Sequence, residues 1–223
     1  TISKDTYNYF RDNLPSDFDE IVLLYNAIDY GRFNANAKKK NEEQKLKLIT
    51  VGSLVDNKNQ IFLIKVVKYL KEQGLNVQLD ILGEGPNRNL LSKRIEEEGL
   101  EAAVHLHGNV NEVEEYLWES QIYVHAAKSE AFGLVLVEAM SAGLPVVTLD
   151  GNGNRDLIEE GKNGYMVFEA DIVAFSEKII LLHQNKFLYK DISKYATQYA
   201  KQYDINTYVN QLISLYDKAL LKR

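Results

Sequence analysis

Short apolar runs alternate with helix-length amphipathic stretches through most of this chain. From residue 46 onward the pattern predicts six strands, at 46–51, 76–82, 104–107, 122–125, 145–149 and 165–168. These runs barely alternate between apolar and polar, as expected of strands covered on both faces. Helical periodicity fills 58–73, 88–98, 112–119, 133–141 and a short 155–160. Gly74, Gly99, Gly143 and Gly161 stand where four of those helices should stop. Asn163-Gly164 reads as a turn before the sixth strand. Three helices, 171–184, 188–201 and 205–221, finish the chain. Strands alternating with helices through right-handed crossovers predict an α/β fold with a doubly wound parallel sheet, Rossmann-like in character. Upstream, 1–19 reads as a helix ending near Pro15 and then a turn. Residues 21–25 (Ile-Val-Leu-Leu-Tyr) read as a short buried strand, and 26–33 as a loop. Residues 34–45 are polar and aperiodic and read as a linker. Lys38-Lys39-Lys40 reads as part of that solvated linker rather than a lipid or nucleic-acid patch, because acidic residues follow at once.

Ligands of doubly wound sheets bind beyond the carboxyl ends of the strands. Here those ends carry Gly52-Ser53-Leu54, Gly83-Glu84-Gly85-Pro86, Gly108-Asn109, Ala127-Lys128-Ser129-Glu130 and Asp150-Gly151-Asn152-Gly153. Two glutamates, Glu130 and Glu138, lie eight positions apart on this rim. Glu138 is embedded in an apolar helical run, where a carboxylate is costly to bury without partners. Glu130 precedes Gly133 and the start of that run. A loop glycine followed by a helix start turns N–H groups and the helix dipole towards anions. An anion site bracketed by carboxylates suits a sugar joined to a nucleotide diphosphate: N–H groups for phosphate, carboxylates for hydroxyls.

Each of these residues also has a plainer reading. Lys58, at a helix start where its charge opposes the dipole, is either a solvated lysine or a phosphate ligand. Glu130 is a surface or capping residue, or touches ligand. Glu138 is satisfied by an internal partner or by hydroxyls. His105 and His107 share one face of a strand, and His125 is conceivable as a third metal ligand. No acidic cluster completes that set, so packed histidines are expected. Tyr189, Tyr195, Tyr199, Tyr203, Tyr208 and Tyr216 recur at helical spacing and are expected in core or interface. The glycine pairs 83/85 and 151/153 lack the third glycine of a dinucleotide fingerprint. A nicotinamide-dependent oxidoreductase would need that fingerprint after the first strand, and Gly52–Asn57 does not supply it.

Composition narrows the classes further. The 223 residues are 45% hydrophobic and 26% charged, ordinary for a globular protein. No apolar run reaches membrane-spanning length and no signal-peptide pattern appears, so a cytoplasmic protein is expected. The absence of cysteine excludes disulfides and thiolate metal sites. A net charge of −6 opposes nucleic-acid binding, so any phosphate must be held by local groups. The chain starts at Thr1, and its methionines are Met140 and Met166; a piece of something longer is expected.

The run from Gly52 to Leu181 resembles the C-terminal, donor-binding domain of retaining glycosyltransferases of the GT-B fold, the group-one or family-four type. The long match is Glu-x7-Glu, Glu130 to Glu138, inside Ser-Glu-Ala-Phe-Gly-Leu-Val-Leu-Val-Glu-Ala-Met-Ser-Ala-Gly-Leu-Pro-Val-Val. Supporting matches are Val51-Gly52-Ser53-Leu54 with Lys58, Ile81–Pro86, Leu106-His107-Gly108 and Gly161–Gly164. Tyr25–Asp29 with Phe33 looks like the segment joining two domains. The resemblance implies one half of a GT-B enzyme in three parts: 1–45 an interdomain segment and linker, 46–204 the nucleotide-sugar-binding domain, 205–223 a helix crossing back to an absent N-terminal acceptor domain. It implies that Glu130 contacts the donor sugar at the reacting face and Glu138 holds ribose hydroxyls. Lys58 would neutralise the diphosphate, beside Gly52 and Ser53. N–H groups of Phe132, Gly133 and Leu134 would hold sugar and phosphate oxygens, and Asn109 and Val110 would edge the base. It implies no cofactor or metal besides a nucleotide diphosphate sugar as donor, and membrane contact only through the absent domain. Expected, then, is a bacterial hexosyltransferase of surface-glycan or polysaccharide synthesis, inactive without its other half. The alternative is a non-catalytic nucleotide-sugar-binding subunit or partner. Two positions depart from the family: Ser53 stands where arginine is frequent, with Arg155 a candidate substitute, and Asp156 stands where glutamate is usual.

Overall fold

The computed structural model describes residues 1–14, 21–34 and 45–221. In chain order the elements are α1 (Lys4–Asn13), α2 (Tyr30–Asn34), β1 (Leu46–Val51), α3 (Gln60–Glu72), β2 (Val77–Leu82), α4 (Arg88–Glu97), β3 (Val104–Gly108), α5 (Val113–Glu119), β4 (Ile122–His125), α6 (Leu134–Ser141), β5 (Val146–Leu149), β6 (Gly164–Val167), α7 (Ile172–Gln184), α8 (Lys186–Ala200) and α9 (Ile205–Leu221). The six strands form one parallel sheet in the order β3-β2-β1-β4-β5-β6. The order reverses between β1 and β4, which opens a crevice at their carboxyl ends.

The chemistry of the strands explains the two-sided core. Leu46 and Leu48 of β1 face one way, into a cluster with Phe62, Leu63, Val67 and Phe175 from α3 and α7. Ile49, the next residue along the pleat after Leu48, faces the other way, into a cluster with Leu136, Val137 and Met140 of α6 and Ala196 and Ala200 of α8. Burying each large aliphatic side chain on these faces contributes ~1.5–3 kcal/mol. Among the described residues no helix is long and apolar enough to cross a membrane.

Several expectations need correction. Residues 21–25 join no strand ladder; Thr1 donates its amino group to Val22 O and accepts the Leu24 N–H at its carbonyl. They are half-buried, and Tyr25 instead packs its ring on Phe132 and Tyr203. The helix expected over 58–73 is split. A 3-10 turn covers Asp56–Lys58, Asn59 takes a left-handed conformation, and α3 begins at Gln60. The helix expected over 155–160 is a 3-10 turn, Gly153–Leu157, too short to space β5 from β6 by a full helix. The helix end near Pro15 and the lysine run 38–40 lie outside the described residues.

The tyrosines of α8 and of the 3-10 turn after it, Lys201–Tyr203, do serve packing. Rings of Tyr195, Tyr199 and Tyr203 follow one another and end on Phe132. The Tyr199 hydroxyl donates to the carbonyl of Asp156 and shares a hydrogen bond with Tyr203. Tyr199→Phe removes both while keeping the ring, so it should cost about 1 kcal/mol in a urea titration. An unchanged midpoint would show those hydroxyls to be equally well hydrated in the unfolded chain.

Candidate functional site

The rim at the crevice is built by close backbone packing. A Cβ on Gly83 would lie 2.2 Å from the carbonyl oxygen of Gly52, and one on Gly85 would lie 2.5 Å from that of Leu54. These glycines therefore let the loops after β1 and β2 touch, which brings Gly52 and Ser53 beside Gly83 and Glu84. Together with Asn109, Val110 and Val113 they line a cavity of about 220 Å³. Four of the expected site residues, Gly52, Ser53, Asn109 and Val110, thus share one hollow. It is smaller than the ~300 Å³ lower end for whole-ligand pockets, so it suits one ring of a larger ligand.

Beside it lies a charged cluster. The stem of Lys58 lies over Gly52, its carbon atoms 3.7–3.9 Å from where a Cβ would stand. Its ammonium is ion-paired with Glu130 Oε1. The same oxygen meets His125 Nε2 at 2.9 Å. Burial pushes the Glu130 carboxyl up, but the hydrogen bonds from His125 and Lys58 outweigh it and hold it below the ordinary value. Two further bonds lace the loops together: Lys128 N–H donates to Asn57 O at 2.8 Å, and Asn57 Nδ2 donates to Ser129 O at 2.8 Å.

The backbone of Glu130 is fixed from the other side. Its N–H donates to Gly151 O at 2.7 Å, and its carbonyl accepts Gly153 N–H at 3.0 Å. Gly153 N–H also reaches Gly151 O, so 151–153 forms a γ-turn whose central residue, Asn152, has φ 67° and ψ −81°. That is the rare, strained hand of the γ-turn. Asn154, wholly buried, braces the loop by bonding Gly151 N–H, the Thr148 hydroxyl and Leu149 O.

After Glu130, Phe132 is buried on Tyr25 and Tyr203. Gly133 has φ 97°, a left-handed backbone that favours glycine, and caps the start of α6. Glu138 occupies the second turn of α6. No side-chain hydrogen bond or ion pair joins it to the described residues. Burial holds its carboxyl above the ordinary value; Arg32 opposes this and Glu114 adds to it. Arg32 is itself taken up by Glu114 and Asn111 O. Glu138 and Glu130 both act on the wholly buried Tyr123 phenol, whose pKa burial pushes strongly up. Both carboxylates therefore act on one buried ring of β4.

The three histidines do not converge. His107 bonds Asp80 on the neighbouring strand, while His125 bonds Glu130. Among the described residues no group of three or more His, Asp or Glu side chains could hold a metal ion. The guanidinium of Arg155, the candidate substitute for an arginine at position 53, forks onto Asp150 at 2.6–3.0 Å. Asp156 accepts the Lys4 N–H at 2.6 Å and so anchors α1. Sequence reasoning took His125 only as a possible metal ligand and missed the γ-turn. The available signal was the five-residue spacing from His125 to Glu130, which puts a strand end and a short loop opposite each other.

A doubly wound parallel sheet with this order, its cation and two carboxylates gathered at the switch point, defines the Rossmann-like half of a GT-B fold. The chain belongs to the glycosyl transferases group 1, whose family model matches residues 32–199. Among curated relatives, the GtfA subunit of the UDP-N-acetylglucosamine–peptide N-acetylglucosaminyltransferase of Streptococcus gordonii is 32% identical over 79% of this chain and 36% of its own length. The poly(glycerol-phosphate) alpha-glucosyltransferase of Bacillus subtilis is 29% identical over 74% of this chain and 25% of its own. The chain thus spans well under half the length of these two relatives. Among solved structures, the pneumococcal O-GlcNAc transferase GtfA in complex with UDP and GlcNAc superposes with a TM-score of 0.82 at 26% identity, over 98% of this chain and 44% of that one. Anabaena HepE in complex with UDP and glucose, at 20% identity and a TM-score of 0.83 over 96% of this chain and 61% of that one, is alike in fold.

Proposed function

We propose that this chain is the donor-binding part of a retaining glycosyltransferase that transfers a sugar from a nucleotide diphosphate sugar during glycan or polysaccharide synthesis. The observation that carries the reading is the Lys58–Glu130 pair at the β1/β4 crevice, beside the cavity lined by Gly52, Ser53, Asn109 and Val110. The cavity would take the base. Lys58 would neutralise the diphosphate, with the N–H groups of Phe132, Gly133 and Leu134 and the α6 dipole adding partial positive charge. Glu130 would accept hydroxyls of the sugar, and Glu138, without a side-chain hydrogen bond or ion pair among the described residues, would accept those of the ribose. Stabilising the departing nucleoside diphosphate is what such a site contributes as the sugar becomes oxocarbenium-like. The relatives favour UDP as the nucleotide: one is a subunit of a UDP-N-acetylglucosamine transferase, and both similar structures hold UDP.

Titration calorimetry with UDP, ADP and GDP tests the reading. Weak binding of one of them is expected, and no heat with any would overturn it. The chain is expected to transfer nothing by itself, since an acceptor site would come from a further N-terminal domain onto which α9 crosses. The buried-residue pattern suits that role: α9 buries none of its side chains, and Val209, Ile213, Tyr216 and Leu220 are exposed at helical spacing.

A second reading, a non-catalytic nucleotide-sugar-binding subunit, is favoured by Ser53 and by the engagement of Arg155 with Asp150, which leave the diphosphate one cation short. Assaying glycosyl transfer with an N-terminal half supplied separates the two.

A further inference from the structure

Lys58 has two anions to serve if the donor-site reading above holds, and it is already held by one of them. Its flexible stem crosses the floor of the crevice over Gly52 and ends on Glu130. His125 approaches the same carboxylate oxygen from the protein interior, on β4, with its side chain 3% exposed and its ring stacked on Tyr123. The lysine is the outer partner, 23% exposed and seated in a 3-10 turn. The arginines near the rim are bound elsewhere: Arg88 to Glu84, Arg32 to Glu114 and Arg155 to Asp150.

We propose that the donor diphosphate takes Lys58 away from Glu130, and that His125 is the positioning residue that keeps the Glu130 carboxylate in place once Lys58 has left. The physical argument is competition. An ammonium on a four-carbon stem is a movable point charge. A diphosphate offers it more negative charge than one carboxylate does. Glu130 is only 11% exposed, so losing its cation would be costly without a second donor. The imidazole Nε2–H supplies that donor from a rigid strand. The exchange is thereby possible without releasing Glu130 from the position in which it would meet the sugar. This inference rests on the donor-site reading and adds a partner exchange to it.

The test is a double-mutant cycle read by titration with UDP, or with ADP or GDP where the wild type binds those instead. Glu130→Gln should bind the nucleotide roughly 3- to 10-fold more tightly, because Lys58 no longer has a competing carboxylate. His125→Ala should bind it several-fold more weakly, since Glu130 then depends on Lys58 alone. That weakening should vanish in the Glu130→Gln background, which a merely structural role for His125 would not produce. His125→Gln, whose amide N–H reaches the position of Nε2, should restore most of the loss. Should His125→Ala fail to fold, ¹⁵N spectra of the wild type decide: nucleotide should shift the Lys58 ammonium and leave His125 Nε2 protonated. A Glu130→Gln protein that binds no tighter, an equal His125→Ala effect in both backgrounds, or an unshifted Lys58 would overturn the exchange while leaving the donor site standing. A wild type that binds none of the three nucleotides removes the donor site and the exchange with it.

Discussion

Gly153→Ala should destabilise the protein by roughly 3 kcal/mol and abolish detectable nucleotide binding, at the upper end of what one added methyl does in a packed site. A Cβ at this position would stand 2.3 Å from the carbonyl oxygen of Glu130 and 2.4 Å from that of Ala131. Both are main-chain atoms, so no side-chain rotation relieves the clash. The γ-turn must move away from the Glu130 loop. That move breaks the hydrogen bond from Gly153 N–H to Glu130 O and stretches the one from Glu130 N–H to Gly151 O. Only Ala131, Phe132 and Gly133 separate Glu130 from α6, so the start of α6 shifts too. A chain of this size should lose ~6–12 °C in melting temperature. Thermal melting with nucleotide titration checks it. A variant with unaltered melting temperature and affinity would show that the rim loop yields freely and is not what fixes Glu130.

Glu138→Gln should act in opposite directions on stability and on binding. Burial raises the folded-state pKa of Glu138. The native protein therefore holds this proton more tightly than the unfolded chain. The resulting destabilisation grows as pH rises through the folded pKa and vanishes below the unfolded value, near ~4.3, where both states are protonated. Glutamine carries no charge to desolvate, so at neutral pH the variant should melt a few degrees higher. The gap should close as the pH falls below ~4. Nucleotide binding should weaken by about 1–3 kcal/mol, the cost of a disturbed charged hydrogen bond to the ribose. Melting curves at neutral and acid pH, with titration at neutral pH, read both effects. A variant that is less stable and binds unchanged would make Glu138 a structural residue and remove it from the site. A half-buried carboxylate with no hydrogen-bond or ion-pair partner among the described residues, kept at a stability cost, is understandable if a ligand satisfies it.

The motif that carries the resemblance was fully legible. Glu130, Gly133 and Glu138 lie within nine consecutive residues, and a glycine before an apolar helical run is a local signal. The hollow made by Gly52, Ser53, Asn109 and Val110 was legible only through the family pattern, because those residues come from the ends of two different strands. The segment at 21–25 was misread for a physical reason. A short apolar run looks the same whether it enters a sheet or supports an aromatic cluster, and Tyr25 does the latter against Phe132 and Tyr203. The start at Lys58 was misread because a 3-10 turn and a helix share their first residues' preferences, and only the left-handed Asn59 separates them.

From residue 46 onward the sequence by itself determined the rhythm of the fold: which runs are strands, where Gly74, Gly99 and Gly143 stop the helices, and which loops fall on the rim. These follow from local conformational preference and from the period of apolar positions, which need no knowledge of distant neighbours. Tertiary structure alone decided the partners. Lys58 and Glu130 are 72 positions apart and meet because β1 lies next to β4 rather than next to another strand. β1 and its possible neighbours are all short, largely apolar runs, and their local pattern does not name the strand that pairs with β1. The order is set by crossover handedness and by which faces pack, and only with it fixed do a lysine, a histidine and a glutamate become one charged cluster.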